Sequence, residues 1–338
     1  MTQFLLDDYD ALLLDLDGTV YRGGVAVDGA AEAVTAAHRA NVAVRYVTNN
    51  ASRRPEAVAE QLTGMGLPAK PGEVSTSSQA AAGVLADRLP AGAAVLVVGT
   101  DALADEIAGR GLTPVRKNGP EVAAVVQGLS QDVGWRDLAE ACLAIRAGAL
   151  WVASNVDPTL PTDRGELPGN GSLVAALRTA TNTEPVVAGK PARPLMDEAI
   201  AAAGGSRPLV VGDRLDTDVA GAHAVGIDSL AVLTGVSTPA GLLAAGPDER
   251  PTYLAADLSG VLRPADEVRI APQANWTITI DAQAGDQLVI EFTGDSDAEP
   301  LVALRAACAA WWAHGGGPVS VRPVGPVATN IINELRLA

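Results

Sequence analysis

The stretch LLLDLDGTVYRGG at residues 12–24 places two acidic residues directly after an apolar run. The apolar run at 11–14 predicts a short buried strand, and Gly18 predicts a tight turn just beyond it. Asp15 and Asp17 would then lie at the carboxyl end of a strand. Two carboxylates so placed repel each other, and burial adds to the cost. The pair therefore predicts that a group of positive charge binds here.

Composition limits the classes of protein to which the chain can belong. A length of 338 residues favours two or three domains, and a hydrophobic fraction of 48% is enough for well-packed cores. The net charge of −16 argues against nucleic acid or an anionic membrane as a partner. A run of about 18 uncharged apolar residues is absent from the sequence, so we expect no membrane span.

The cysteines and the first residues bear on the cellular compartment. Cys142 and Cys308 lie far apart and form no CxxC pair, which is typical of a reducing environment. The first ten residues carry Asp7, Asp8 and Asp10 and lack the basic and apolar regions of a secretory signal. We therefore expect a cytoplasmic protein.

Apolar runs and helical patterns alternate along most of the chain. After the strand at 11–14, the pattern predicts strands at 42–47, 95–98, 122–126, 150–153 and 208–211, and helices at 29–40, 101–110, 135–147, 172–181 and 195–203. This alternation is typical of an α/β fold with a parallel sheet covered on both faces. The middle block can form an α/β unit of its own.

The last 80 or so residues have a different pattern. Alternating residues predict strands at 276–280 and 287–292, joined by a turn at 284–286. An apolar helix at 300–314 is stopped by three glycines, and a third strand follows at 319–322. The order β–β–α–β predicts a separate small α+β module.

Polar residues follow three of the predicted parallel strands. Thr48 and Asn49 come after the strand at 42–47, and Asp213 comes after the strand at 208–211. Ligands of such sheets bind at the carboxyl ends of the strands. If the turn at Gly18 brings Asp17 beside Asp15, three carboxylates share one crevice, and Mg²⁺ is the usual cation among such oxygen ligands.

These pieces together resemble a known family. DLDGTVYRGG, VTNNASR, GKP and GDRLDTDVAGAHAVGIDSLAVLTGV occur in that order, with ASNVDPTLPT and GELPGNGSLVAAL between them. Over about residues 10–240 the sequence resembles the haloacid dehalogenase-superfamily phosphatases, in the NagD-like and p-nitrophenyl phosphatase subgroup. Within that subgroup it is most similar to actinobacterial glycerol 3-phosphate phosphatases with a C-terminal extension.

The resemblance implies a domain organisation. It implies a Rossmann-like doubly wound catalytic core at 1–76 and 187–258, with an α/β cap inserted at 77–186 that sets substrate specificity. The module at 259–338 resembles an N-acetyltransferase in element order alone. It lacks the paired glycines of an acetyl-CoA site, so we expect no acetyl transfer and a regulatory, packing or oligomerisation role. The sequence is compatible with a homo-oligomer.

The resemblance also implies chemical roles at the strand ends. Asp15 is the expected nucleophile, forming an aspartyl-phosphate, and Asp17 is the expected general acid and base. Mg²⁺ is expected on the carboxylates of Asp15 and Asp213 and on the backbone carbonyl of Asp17.

Further residues are implied around the transferred group. Thr48, the Asn49 amide and Lys190 are expected to bind the phosphoryl oxygens. Lys190 is one of only three lysines beside 21 arginines. Asp218 is expected to orient Lys190 or metal-bound water, but Asp216 can do so instead, and spacing does not separate the two.

The function expected from these residues is Mg²⁺-dependent hydrolysis of a small phosphorylated metabolite, with glycerol 3-phosphate first. Pyridoxal phosphate, phosphoglycolate and sugar phosphates are alternative substrates. A phosphomutase is a further alternative, although mutase relatives carry their cap after the first motif. A non-catalytic phosphometabolite sensor is the last alternative, although binding alone does not require both Asp15 and Asp17.

Overall fold

The computed structural model describes residues 3–162, 164–281, 287–294 and 298–337. The chain forms two compact units, one made of residues 1–44 and 205–338 and the other of residues 45–204. Among the described residues, no helix combines the length and the apolar character needed to cross a bilayer.

The strands in chain order are β1 (Ala11–Leu14), β2 (Tyr21–Arg22), β3 (Val25–Ala26), β4 (Ala43–Thr48), β5 (Val74–Thr76), β6 (Ala94–Val98), β7 (Thr113–Val115), β8 (Val122–Gln127), β9 (Leu150–Ala153), β10 (Thr159–Thr162), β11 (Gly165–Pro168), β12 (Val186–Val187), β13 (Pro208–Gly212), β14 (Ser229–Val232), β15 (Tyr253–Ala255), β16 (Trp276–Asp281), β17 (Gln287–Phe292) and β18 (Val321–Val324).

The α-helices in chain order are α1 (Ala30–Arg39), α2 (Pro55–Gly64), α3 (Ser77–Ala86), α4 (Asp101–Gly109), α5 (Trp135–Arg146), α6 (Asn170–Thr181), α7 (Arg193–Ala203), α8 (Ala220–Val225), α9 (Pro239–Ala244), α10 (Ala265–Val268), α11 (Pro300–His314) and α12 (Gly325–Glu334).

A parallel sheet organises the first unit, in the order β15-β14-β13-β1. Every residue of these four strands is buried. Fully buried apolar strands are typical of parallel sheets that are covered by other elements. The register sets Leu14 opposite Val211, so β1 and β13 end at the same edge. The expected parallel α/β core is therefore confirmed.

The C-terminal part of the first unit is a three-stranded sheet in the order β16-β17-β18. β16 and β17 are antiparallel, whereas β17 and β18 are parallel. Helix α11 ends at His314, and Gly315 follows it with a φ of +135° that favours glycine, so the glycine run stops the helix as predicted. Trp276, Ile290 and Leu304 pack in one hydrophobic cluster with Leu242 and Leu254 of the preceding α/β part.

Two features of this module differ from the prediction. The third strand begins at Val321, two residues later than expected, and a further helix, α12, follows it. Gly325 and Pro326 indicate a turn on their own, but proline is well tolerated in the first turn of a helix. The element order is therefore β–β–α–β–α. The turn predicted at 284–286 lies outside the described residues.

The second unit contains a five-stranded parallel sheet in the order β12-β9-β8-β6-β7. Its core includes Val125, Trp151 and Val174, contributed by β8, β9 and α6. This sheet and its helices have the α/β character expected for the middle block. Strands β4 and β5 pair in parallel register, with Thr48 opposite Thr76. The Thr76 side chain accepts a hydrogen bond from the Gln79 backbone N–H and so caps α3.

Candidate active site

Two acids of the first unit follow neighbouring strands. The backbone N–H of Asp15 donates to the Val211 carbonyl oxygen at 2.9 Å, which extends the pairing of β1 with β13 by one residue. Asp213 directly follows Gly212, the last residue of β13. Both acids therefore leave the sheet at one edge, where the strand pattern predicted them.

A third carboxylate joins these two. A π-helical turn, Leu215–Val219, follows β13 and carries Asp218. Carboxylate oxygens of Asp15, Asp213 and Asp218 all lie within 4.8 Å of one another, and the side chains of Asp213 and Asp218 are buried. Repulsion and lost hydration both oppose three ionised carboxylates at this spacing. A hard divalent cation offsets both costs, so the oxygen donors fit Mg²⁺.

Glycines make room for this cluster. A Cβ added at Gly235 would lie 1.9 Å from Oδ2 of Asp213, and one at Gly18 would lie 2.5 Å from the same atom. A Cβ at Gly212 would lie 2.3 Å from the side chain of Asp218. Gly18 also has a φ of +90°, in the region that favours glycine. The backbone therefore approaches the carboxylates more closely than any other residue type allows.

The Asp213 side chain is held by the loop that follows β14. The Val236 backbone N–H donates to Oδ2 of Asp213 at 2.7 Å, and the Thr19 hydroxyl donates to Oδ1 at 3.4 Å. The Thr234 hydroxyl donates to the carbonyl oxygen of Gly18. The motif at 212–236 includes this loop, but sequence reasoning gave the loop no role, because its contact with Asp213 depends on the packing of β13 against β14.

The structure corrects the predicted membership of the cluster. Asp17 was expected to be the third carboxylate beside Asp15 and Asp213, but that position belongs to Asp218. The turn explains the difference, because the Gly18 backbone N–H donates to the Tyr21 carbonyl oxygen at 2.8 Å and leaves the Asp17 side chain exposed. Although Asp17 as a whole is exposed, partial desolvation of its carboxyl raises its pKa above the usual value, and the charge of Arg22 opposes this. A raised pKa suits a group that must donate a proton.

Asp216 and Asp218, which spacing could not separate, have different surroundings. The carboxylate of Asp216 accepts from Nη2 of Arg214 at 2.7 Å and from Nε at 3.0 Å, and its side chain is more than half exposed. This pairing lowers the pKa of Asp216. Asp218 is buried, and its Oδ2 accepts from the Arg214 backbone N–H at 3.1 Å. Asp218 is therefore the acid of the pair that lies in the cluster.

The second unit brings Thr48, Asn49 and Lys190 together. Lys190 is only 3% exposed, and its Nζ donates to the carbonyl oxygen of Val47 at 3.1 Å. The Lys190 backbone N–H donates to Oδ1 of Asn49 at 2.8 Å, and Nδ2 of Asn49 donates to the Lys190 carbonyl oxygen at 3.0 Å. Thr48 is buried, and its hydroxyl accepts from the Asn50 backbone N–H at 3.1 Å. The end of β4 and the Gly-Lys-Pro segment are therefore tied to each other.

Sequence reasoning singled out the segment ASNVDPTLPT after β9 but did not place it against Asn49. Its carbonyl oxygen accepts from the Ser77 hydroxyl at 2.6 Å and from Nδ2 of Asn155 at 2.7 Å. Its Nδ2 also lies 3.3 Å from both carboxylate oxygens of Asp157. Polar residues just after β9 therefore position Asn49. Ser77 lies 28 residues from Asn49 and Asn155 lies 106 residues away, so no local signal identifies these contacts.

Family models match three parts of the chain. Residues 12–113 match the haloacid dehalogenase-like hydrolases, and residues 187–261 match a related hydrolase model. Residues 273–337 match a GCN5-related N-acetyltransferase-like domain. The last match confirms the resemblance expected from element order in the C-terminal module.

Individual proteins extend the likeness to nearly the whole chain. A D-glycerol 3-phosphate phosphatase of Mycobacterium tuberculosis is 48% identical over 326 residues, covering 95% of this chain and 90% of the relative. The crystal structure of a glycerol phosphate phosphatase from that organism, in complex with magnesium, is similar with a TM-score of 0.94 at 46% identity, covering 100% of both chains.

A p-nitrophenyl phosphatase from Archaeoglobus fulgidus is similar with a TM-score of 0.68 at 28% identity, over 75% of this chain and 98% of that one. The likeness to this more distant relative therefore covers three quarters of the chain. These similarities agree with the order of the four sequence motifs and with the carboxylate cluster at the ends of β1 and β13. The chain belongs to the haloacid dehalogenase-like hydrolases.

Proposed function

We propose that the chain is a Mg²⁺-dependent phosphomonoesterase that hydrolyses glycerol 3-phosphate to glycerol and phosphate. The observation that carries the proposal is the cluster of Asp15, Asp213 and Asp218, since the spacing of its oxygens calls for a divalent cation. The similar enzyme of M. tuberculosis, named for glycerol 3-phosphate, supports this choice of substrate.

Asp15 is the nucleophile in the proposed reaction. A carboxylate oxygen of Asp15 forms a bond to phosphorus while the bond from phosphorus to the glycerol oxygen breaks. Asp17 donates its proton to the departing oxygen and is left as a carboxylate. Asp17 then accepts a proton from water as that water attacks the aspartyl-phosphate, which releases phosphate and restores both acids. The exposed position of Asp17 lets it exchange protons with solvent.

The other residues of the motifs bind the metal ion and the phosphoryl group in this proposal. The carboxylates of Asp15 and Asp213 and the backbone carbonyl of Asp17 would hold Mg²⁺, which when bound neutralises negative charge on the phosphoryl oxygens. Asp218, which has a carboxylate oxygen within 4.8 Å of those of Asp15 and Asp213, would orient a ligand of the ion. Thr48, the Asn49 amide and Lys190 would bind the phosphoryl group. Burial of Lys190 supports this role, because a buried ammonium is retained where it neutralises an anion.

Domain roles follow the same proposal. Residues 1–76 and 187–258 would form the catalytic core, and 77–186 would form the cap that selects the substrate. Support comes from the five-stranded sheet, whose strands from Ala94 to Val187 fall almost entirely in that insert. Residues 259–338 would be regulatory or structural. We further propose that the enzyme works in the cytoplasm, which agrees with the free cysteines Cys142 and Cys308.

The test is release of inorganic phosphate from a panel of phosphate esters, with Mg²⁺ or with EDTA. The panel contains glycerol 3-phosphate, pyridoxal phosphate, phosphoglycolate, sugar phosphates and p-nitrophenyl phosphate. We expect Mg²⁺-dependent release that is fastest from glycerol 3-phosphate and absent in Asp15→Asn. Faster release from another natural ester would support hydrolysis of phosphate esters but would contradict glycerol 3-phosphate as the substrate.

The same experiment separates the other classes of function. A phosphomutase would convert an ester to its isomer without releasing phosphate, and chromatography of the products detects that isomer. A sensor would release nothing while still binding the ester, and its response would survive Asp17→Asn. Either result would contradict the proposed phosphatase.

A further inference from the structure

The first unit contains a groove between its α/β part and its C-terminal module. The groove has a volume of ≈ 1390 Å³ and is lined on one side by the loop that follows β14 and on the other by β16, β17 and the start of α11. It does not include the strand-end carboxylates Asp15 and Asp218. The groove is therefore large enough to hold a second binding site on this unit.

A buried arginine is present in the wall of this groove. Arg305 on α11 is 6% exposed and lines the groove. Its Nε donates to the carbonyl oxygen of Leu254 at 2.9 Å, which fixes the guanidinium against β15. Among the described residues, neither of its terminal nitrogens has a hydrogen-bond or ion-pair partner. Neither terminal nitrogen is among the fully buried side-chain atoms, so both keep access to the groove and are open to an anion that can accept from them.

The charge on Arg305 persists at neutral pH. Burial lowers the pKa of Arg305 to about 10, and Glu299 acts in the opposite direction. The side chain is therefore cationic under ordinary conditions. The fixed fork of a guanidinium favours a planar group with two oxygens, which is a carboxylate.

The remaining charges of the groove limit what that carboxylate can belong to. Five acidic side chains and three arginines line the groove, and one acid of the five, Glu267, is paired with Arg263. This surplus of negative charge opposes a dianion such as a phosphate ester. It favours a molecule that carries an ammonium group as well as a single carboxylate.

The groove also offers apolar surface. Trp276 and Phe292 line it, with their ring centroids 5.0 Å apart, and Leu301 and Val302 lie on the same side. An apolar group placed against these side chains would be removed from water. The walls therefore provide three kinds of contact, namely one fixed cation, several carboxylates and an aromatic pair.

We propose that this groove binds a free amino acid with an apolar side chain. Its carboxylate would accept from the terminal nitrogens of Arg305. Its ammonium would face acids such as Glu299, and its side chain would lie against Trp276 and Phe292.

The loop after β14 connects this groove to the cluster of acids. Leu233, Gly235 and Thr238 of the loop line the groove. The same loop packs Gly235 against Asp213 and donates the Val236 backbone N–H to its carboxylate. An amino acid in the groove would therefore change the Mg²⁺ requirement of the enzyme, a consequence that rests on the proposed phosphatase function.

Calorimetric titration of the full chain with each of the twenty protein amino acids, in buffer without phosphate, tests the site. At least one apolar amino acid should bind, and its carboxamide should bind at least about tenfold more weakly, because the amide offers one neutral acceptor oxygen in place of two charged ones. The amide comparison uses the unaltered protein, so it does not depend on a variant that folds. Failure of all twenty to bind would overturn the proposal, as would equal binding of the acid and the amide.

Matched variants locate the site. Arg305→Met keeps a long apolar side chain in the packed helix and should weaken binding by about tenfold or more. Arg336→Met removes another arginine of the same groove that is exposed, and it should leave the affinity within about twofold. Equal effects of the two variants would contradict the role of Arg305.

A second readout separates this inference from the proposed function. Mg²⁺ titration of phosphate release, with and without the bound amino acid, should give Mg²⁺ requirements that differ by about fivefold or more. Binding with an unchanged Mg²⁺ requirement would overturn the link to Asp213. Binding by a chain that releases no phosphate would overturn the phosphatase while supporting the groove.

Discussion

The substitution Gly235→Ala should slow the hydrolysis of the phosphate ester by displacing the Asp213 carboxylate. The added Cβ would lie 1.9 Å from Oδ2 of Asp213 and 2.4 Å from its Cγ, whereas real contacts of this kind stay beyond 3.0 Å. The Asp213 carboxylate must therefore retreat by about 1 Å or more. Because Mg²⁺ requires oxygens at about 2.0–2.1 Å in a near-ideal octahedron, such a shift removes a ligand. Errors of about 1 Å in catalytic positioning cost about 100-fold in rate.

The assay is phosphate release from glycerol 3-phosphate across a range of Mg²⁺ concentrations. We expect kcat/KM of Gly235→Ala to fall about 100-fold, with a raised Mg²⁺ requirement and a melting temperature that shows a folded protein. The matched control is Gly246→Ala, where φ is −65° and the nearest atom outside the adjoining residues is 4.0 Å from the added Cβ. A Gly235→Ala enzyme as active as this control, at the same Mg²⁺ concentration, would refute the reasoning.

Three further predictions follow from other contacts. Asp218→Asn should raise the Mg²⁺ requirement by about tenfold or more, because Asp218 lies in the carboxylate cluster. Asp216→Asn should change it less than about twofold, because Asp216 pairs with Arg214 outside the cluster. Equal effects of the two variants in a Mg²⁺ titration would contradict the assignment of Asp218. Burial alone would raise the pKa of Asp10, but hydrogen bonds from Ser206 and Arg207 outweigh it and lower that pKa. The stabilisation is therefore complete above about pH 4 and is lost as pH falls through the folded-state pKa. Because solvent screens this partly exposed carboxylate, urea unfolding should show a small loss of stability for Asp10→Asn at about pH 7 that shrinks at about pH 3. The chain incubated with acetyl-CoA and a panel of amines should release no coenzyme A, and steady release would contradict the absence of acetyl transfer.

Local patterns in the sequence predict those parts of the fold that depend on neighbouring residues. β1 ends at Leu14 and α11 ends at His314 as expected, because a pair of acids and a run of glycines stop them. Helix α12 was missed because Gly325 and Pro326 at its start indicate a turn when taken alone. Its apolar residues Ile331 and Ile332 are buried only through the packing of the module.

The candidate site likewise contains residues that the local sequence predicts and residues that it does not. Asp15 and Asp213 are predictable because each directly follows an apolar strand. The choice of Asp218 depends on a π-helical turn, and the roles of Gly235 and Asn155 depend on contacts with distant segments. Strand order and side-chain packing decide such contacts, and a single sequence does not specify either of them locally.

The central claim is that Asp15 attacks phosphorus. Its most direct test is to quench the enzyme with acid during turnover of glycerol 3-phosphate and Mg²⁺, and to locate covalently bound phosphate by mass spectrometry of the peptides. We predict phosphate on Asp15 in the unaltered enzyme and more of it in Asp17→Asn, where hydrolysis of the intermediate lacks its base. Phosphate release by an enzyme that never carries phosphate on Asp15, and that stays active as Asp15→Asn, would contradict the account.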